Sequence, residues 1–182
     1  IYDREFSYDL MAYEGTKIIV GTETGLVVID TLKIGKDGEE SWTEIGPISG
    51  APFRVINKDI DNNIWLGSDK NGLYRIKSED INDYYKKNIG NYDSSSIDIK
   101  HYIYNPKMLN SLSSSTITCI VEDNNEEVWV GTNNGLNRYR KATDDFMHYY
   151  VSDGLPSNYI TGIVSDDNND LWISSKKGIT FF

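Results

Sequence analysis

The 182 residues contain one cysteine, Cys119, and two histidines, His101 and His148. One thiol excludes an internal disulfide framework, and so few nitrogen and sulfur donors cannot complete a structural zinc site. No metal site and no cofactor is expected. Basic residues are also scarce, 18 Lys and Arg against 28 Asp and Glu, for a formal net charge of −10. Nucleic acid and anionic membrane are bound through basic patches, and no run of Lys or Arg occurs, so neither is an expected partner. No apolar run reaches the ~18 residues of a membrane helix, and Ile1–Leu10 lacks the charged-then-apolar order of a secretory signal. The expectation is a soluble piece, any address label or anchor lying outside it. A sustained helical period is missing as well, which excludes helical solenoids.

What is present is aromatic and repetitive. Four Trp and thirteen Tyr give the chain apolar surface worth burying, which argues against disorder. Four segments align: KIIVGTETGLVVI from Lys17, NIWLGSDKNGLYRI from Asn63, EVWVGTNNGLNRY from Glu127 and DLWISSKKGITFF from Asp170. Gly21, Gly67, Gly131 and Ser174 share one position, 46, 64 and 43 residues apart. Ile19, Trp65, Trp129 and Trp172 stand two residues earlier. Phe53, Ile117 and Ile160 lie twelve residues before each Trp, and Ile56, Ile120 and Ile163 nine before, with Leu10 in the same place in the first copy.

Each unit reads as four strands separated by Asp/Asn-rich and Gly turns. In the second strand the residues flanking the Trp position are also apolar, as in Ile64/Leu66 and Val128/Val130, so both faces of each sheet are to be covered. A four-stranded antiparallel sheet repeated at such a spacing and covered on both faces is a β-propeller blade. The expected fold is all-β. It has four blades, at about 7–45, 53–103, 116–150 and 159–182, the last lacking its outer strand, and forms part of a larger ring. An insertion at 78–96 interrupts blade 2, and its start, SEDINDYYKK, suits one or two helical turns capped by Ser78. The incomplete blade edges invite self-association, with two copies completing eight blades as one form of it. Ile1–Phe6 is the candidate for the missing strand of the last blade.

The run ITCIVEDNNEEVWVGTNNGLNRY, the DGLPSN link after it and then ITGIVSDDNNDLWIS together resemble the two-component regulator propeller repeat. The resemblance covers nearly the whole chain, with Ile19 in place of Trp in the first copy and Ser174-Ser175 in place of Gly-Thr in the last. It implies the extracytoplasmic sensor part of a bacterial receptor of the hybrid histidine kinase kind. The implied partner is an oligosaccharide or another small extracytoplasmic ligand.

No catalytic constellation is visible. His101 and His148 hold equivalent places on the outer strands of different blades, so they point apart rather than converge. The acidic turns Asp59–Asn63, Glu122–Glu127 and Asp166–Asp170 carry oxygen enough for calcium, but Asp and Asn favour such turns simply by bonding their own backbone. SDDNNDLW is an imperfect Asp-box, and two carboxylates placed across a sugar bond cannot be identified from the sequence. A lyase or glycosidase remains the enzymatic alternative. A protein-interaction scaffold is the other, although the GH and WD dipeptides of WD40 repeats are absent. The Trp residues are expected in the core, and Cys119 reads as a small buried hydrophobe. Ligands of propellers meet the inter-blade links, here ending at Arg54, Thr116 and Tyr159, and the turns between second and third strands. The candidate binding residues are therefore Glu23, Arg54, Asp69, Lys70, Asn133, Asn134, Tyr159 and Lys176.

Overall fold

A computed structural model describes residues 7–34, 42–44, 50–87 and 97–181. Four antiparallel sheets follow one another along the chain. Blade 1 comprises β1 (Ser7–Tyr13), β2 (Lys17–Thr22), β3 (Leu26–Asp30) and β4 (Trp42–Glu44). Blade 2 comprises β5 (Phe53–Lys58), β6 (Asn63–Ser68), β7 (Leu73–Lys77) and β8 (Ile99–Tyr102). In blade 3 these are β9 (Ile117–Glu122), β10 (Val128–Thr132), β11 (Gly135–Arg140) and β12 (Asp145–Tyr149). Among the described residues blade 4 has three strands, β13 (Ile160–Ser165), β14 (Leu171–Ser175) and β15 (Gly178–Phe181). Each first strand packs beside the first strand of the next sheet, β1 on β5, β5 on β9 and β9 on β13. The sheets thus stand face to face around a common axis, as in a partial β-propeller.

The repeated residues explain the blade. In blades 2 to 4 an Asp six positions before the Trp closes the turn between the first two strands. Its Oδ1 accepts the backbone N–H four residues on: Asn63 to Asp59 at 2.7 Å, Glu127 to Asp123 at 3.0 Å, Asp170 to Asp166 at 3.1 Å. Its Oδ2 accepts the indole N–H: Trp65 at 2.7 Å, Trp129 at 2.9 Å and Trp172 at 2.8 Å. These carboxylates therefore perform turn and indole chemistry, and among the described residues no cluster has the donors of a metal site. A Thr or Ser closes the next turn by donating to the carbonyl of the Gly after it: Thr22 to Gly25, Ser68 to Gly72, Thr132 to Gly135, Ser175 to Gly178. The Gly-to-next-blade approach is close. A Cβ on Gly67 would lie 2.6 Å from Ile117, and one on Gly131 would lie 2.8 Å from Ile160.

Each core therefore lies between blades. Phe53 and Ile56 pack with Ile19, Leu26 and Val28 of blade 1. Ile117 and Ile120 cover Trp65, and Ile160 and Ile163 cover Trp129. Arg75 lies over Trp65, Tyr102 and Tyr139, and Asp144 accepts from the hydroxyls of Tyr102 (2.6 Å) and Tyr139 (2.7 Å), tying blade 2 to blade 3. The link into blade 3 is fixed by buried Asn137, whose Oδ1 accepts from the Ser113 N–H (2.8 Å) and whose Nδ2 donates to Ser113 Oγ (2.9 Å).

Two expectations are corrected. The insertion begins with a ten-residue helix, α1 (Ser78–Lys87), longer than the one or two turns expected. The reason is tertiary: Ile81, Tyr84 and Tyr85 pack against Tyr13, Ile19, Leu26 and Val28. The helix fills the space left where blade 1 has Ile19 for Trp and Tyr13 for Asp. Tyr13 donates instead to the Ser78 carbonyl at 2.5 Å. Second, Trp172 is not in the core. It lies on the face of blade 4 turned away from blade 3, where no described blade follows. Residues 88–96 and Ile1–Phe6 lie outside the described residues.

Candidate functional site

The first strands share an irregularity that creates a site. Their pairing with the second strands skips one residue each. Ser7 faces Thr22 but Asp9 faces Gly21, passing over Tyr8. Phe53 faces Ser68 and Val55 faces Gly67, passing over Arg54. Thr118 is passed over between Ile117 and Cys119, and Thr161 between Ile160 and Gly162. Each is a β-bulge, a device that leaves one residue outside the ladder and re-aims its side chain. The four bulged residues occupy one repeat position at the same end of adjacent first strands, so they converge on the axis.

There Arg54, Thr118 and Thr161 line an open cleft of about 430 Å³ with Val55, Asp69, Thr116, Ile117 and Tyr159. Arg54 Nε lies 3.6 Å from Asp69 Oδ2, with both side chains about 40% exposed (44% and 37%), a pair that solvent screens strongly. The Arg54 guanidinium lies over the Tyr8 ring at 4.3 Å, and the Lys176 ammonium over the Tyr159 ring at 3.8 Å. Two cation–π pairs thus hold two positive charges near hydroxyls of Thr116, Thr118 and Thr161. Thr161 Oγ1 is 2.9 Å from Ser174 Oγ. Behind the bulge, burial pushes the Cys119 thiol up to about 11, so it stays neutral and serves as packing.

The candidates divide accordingly. Arg54, Asp69 and Tyr159 line the cleft and Lys176 stacks at its edge. Glu23 and Lys70 are exposed on turns and are not among its lining residues. The Asn133 N–H bonds the Thr116 carbonyl at 3.3 Å, and Asn134 donates to the Ser113 carbonyl at 3.4 Å, so both hold links. Tyr8, Thr118 and Thr161 were missed by a reading confined to turns and links. The histidines are structural: His101 Nε2 lies 2.7 Å from the Asn71 carbonyl oxygen, and His148 bonds that of Ser111. A second cleft of about 270 Å³ between blades 2 and 3 is lined by Arg75, Arg138, Arg140 and Lys141, each already paired with a carboxylate of this chain.

The comparisons agree with this architecture. Residues 111–134 and 154–177 match the two component regulator propeller model. These two segments, in the third and fourth copies, are similar to two component regulator propeller repeats. No curated protein matches. Among solved structures, the extracellular domain of BT4673 from B. thetaiotaomicron, assigned as a hybrid two component system, is 20% identical. It has a TM-score of 0.65 over 96% of this chain and 21% of its own. PorZ, a bacterial surface component of the type-IX secretion system of Porphyromonas gingivalis, is 17% identical, with a TM-score of 0.73 over 97% of this chain and 26% of its own. The virginiamycin B lyase of Staphylococcus aureus is 17% identical, with a TM-score of 0.61 over 97% and 55%. At such identities the likeness is one of fold. The chain spans between a fifth and just over half of these proteins. No helix among the described residues is long and apolar enough to cross a membrane.

Proposed function

We propose that these blades are a ligand-binding, non-catalytic part of an extracytoplasmic bacterial sensor, and that the axial cleft is the recognition site. The observation that carries this reading is the set of four bulges, three of which bring Arg54, Thr118 and Thr161 to one cleft while the fourth sets Tyr8 against Arg54, in a chain with matches to regulator propeller repeats. Tyrosine faces, threonine hydroxyls and a cation suit an oligosaccharide, whose rings stack and whose hydroxyls bond. The likeness to the BT4673 extracellular domain supports a sensor role. Asp69 alone among the lining residues carries a carboxylate, and no histidine is among them. Among the described lining residues there is thus no pair of carboxylates such as a glycosidase places across a sugar bond, which supports the non-catalytic reading. An oligosaccharide array followed by calorimetric titration of any binder tests this. Binding that Arg54→Ala weakens, with no turnover of the bound sugar, is the expected result. Release of a cleaved product would instead assign an enzyme.

A further inference from the structure

The residue after each bulge faces the following blade. Val55 packs into the core between blades 2 and 3, Cys119 packs into the core between blades 3 and 4, and Gly162 holds the place in blade 4. Blade 1 has Asp9 there, opposite Gly21 as Val55 is opposite Gly67. A carboxylate at an apolar inter-blade position loses solvation and is tolerated where hydrogen bonds replace the lost water. Two N–H groups do so: Asp9 Oδ2 accepts from Ile56 of blade 2 at 2.7 Å, and Oδ1 accepts from Leu10 at 2.9 Å. β1 and β5 belong to different sheets, so no ladder fixes one against the other, and the bond from Ile56 to Asp9 ties them directly. Such a charge-assisted bond is stronger than a neutral one. The first strands of blades 2 and 3 are tied by a neutral bond, from Asn57 Nδ2 to the Ile120 carbonyl at 3.3 Å, placed three residues past the bulge rather than one.

The place of this bond decides what it does. Asp9 follows Tyr8, Ile56 stands two residues after Arg54, and the Arg54 guanidinium lies over the Tyr8 ring at 4.3 Å. We infer that Asp9 is a positioning residue of the axial cleft: it holds β5 against β1 and thereby seats the Arg54 guanidinium on Tyr8. The role rests on the reading of this cleft as the recognition site. The seat fixes the plane in which the guanidinium meets a ligand. Asp69 restrains the same group only weakly, at 3.6 Å between side chains that solvent screens. Of the four bulges, the two whose residues stack on each other are the two that a carboxylate ties together. A break in a repeated rule is expected where a site needs something the frame does not supply.

The test compares Asp9→Val, which installs the residue that blade 2 has at this position, with Asp9→Asn, which keeps an acceptor without the charge. Arg54 is observed by NMR of the arginine-labelled chain. Protons over an aromatic ring move upfield, and Tyr8→Leu identifies the Arg54 signals displaced in this way. Asp9→Val should lose most of that upfield shift, and Asp9→Asn should keep most of it. Affinity for an array-selected oligosaccharide whose binding Arg54→Ala weakens should fall about threefold in Asp9→Val, the worth of one exposed cation–π pair, and recover in Asp9→Asn. If Asp9→Val does not fold, Asp9→Ser takes its place, its hydroxyl being too short to reach Ile56. Arg54 signals that stay at their parent positions in the folded variant overturn the proposal, with or without a ligand in hand. Loss of the shift with affinity unchanged overturns it too, because the seat would then not serve binding. A chain that binds no oligosaccharide, or whose binding ignores Arg54, contradicts the recognition reading instead, and the NMR comparison then decides the seating alone.

Discussion

At the residue scale, one aspartate in each of blades 2 to 4 ties the Trp to the turn before it. Asp123 is buried, accepts the Trp129 indole N–H, and closes the turn through the N–H groups of Asn125 and Glu127. Replacing it strands an indole N–H in apolar surroundings, so Asp123→Ala should lower stability by about 1–3 kcal/mol, read by urea unfolding followed by tryptophan fluorescence. Asp144 makes a different prediction. Burial opposes its charge, but the Tyr102 and Tyr139 hydroxyls with Arg75 and Lys100 outweigh that and hold its carboxyl below the usual range. A carboxyl depressed in the folded state stabilises fully above its unfolded value, and loses that contribution as pH falls through the folded one. Asp144→Asn, which tolerates the positive φ of 54° at this turn, should therefore be less stable at neutral pH, with its profile converging on that of the parent in acid. Parallel profiles down to acid would contradict the role given to this charge.

At the element scale, the spacing of the first strand is the informative feature. Ile117 and Ile120 face the same neighbour although they stand three apart, whereas a regular strand returns to one face every second residue. Only an extra residue between them reconciles the two facts, and that residue is the bulge. The signal was in the sequence, but a reading that located ligands at turns passed over it, which is why Tyr8, Thr118 and Thr161 were missed while Arg54 and Tyr159 were found. The strand order and the Gly-Thr turns were legible because they repeat. The length of α1 was not, because its apolar residues are fixed by the gap beside Ile19 rather than by a repeat. Exposure of Trp172 was equally hidden, since its local sequence matches that of two buried tryptophans and only the neighbouring blade differs. The close approach of Gly67 to Ile117 predicts that Gly67→Ala costs about 1–3 kcal/mol through overpacking. Ser174→Ala, on an open face, should change stability by about 0.5 kcal/mol or less. Thermal unfolding of the two variants side by side checks both, and equal losses would mean that the glycine is not retained for blade contact.

At the scale of the whole molecule, a repeated frame carries a variable axial surface. The Asp–Trp turn of blades 2 to 4, the Gly contact of blades 1 to 3 and the paired apolar residues of the first strands of blades 2 to 4 recur so that blades stack. The bulged position between them changes from Tyr to Arg to Thr to Thr. Around a formal net charge of −10, two cations stand at this cleft, Arg54 paired with Asp69 and Lys176 over Tyr159. The measurement closest to the central claim is calorimetric titration of an array-selected oligosaccharide into the parent chain, Arg54→Ala and, as a control on the other cleft, Arg138→Ala. The account predicts that Arg54→Ala weakens binding about tenfold or more, the loss of one charge-assisted contact, while Arg138→Ala leaves affinity unchanged. Unaltered affinity in Arg54→Ala, or a loss confined to Arg138→Ala, would contradict it.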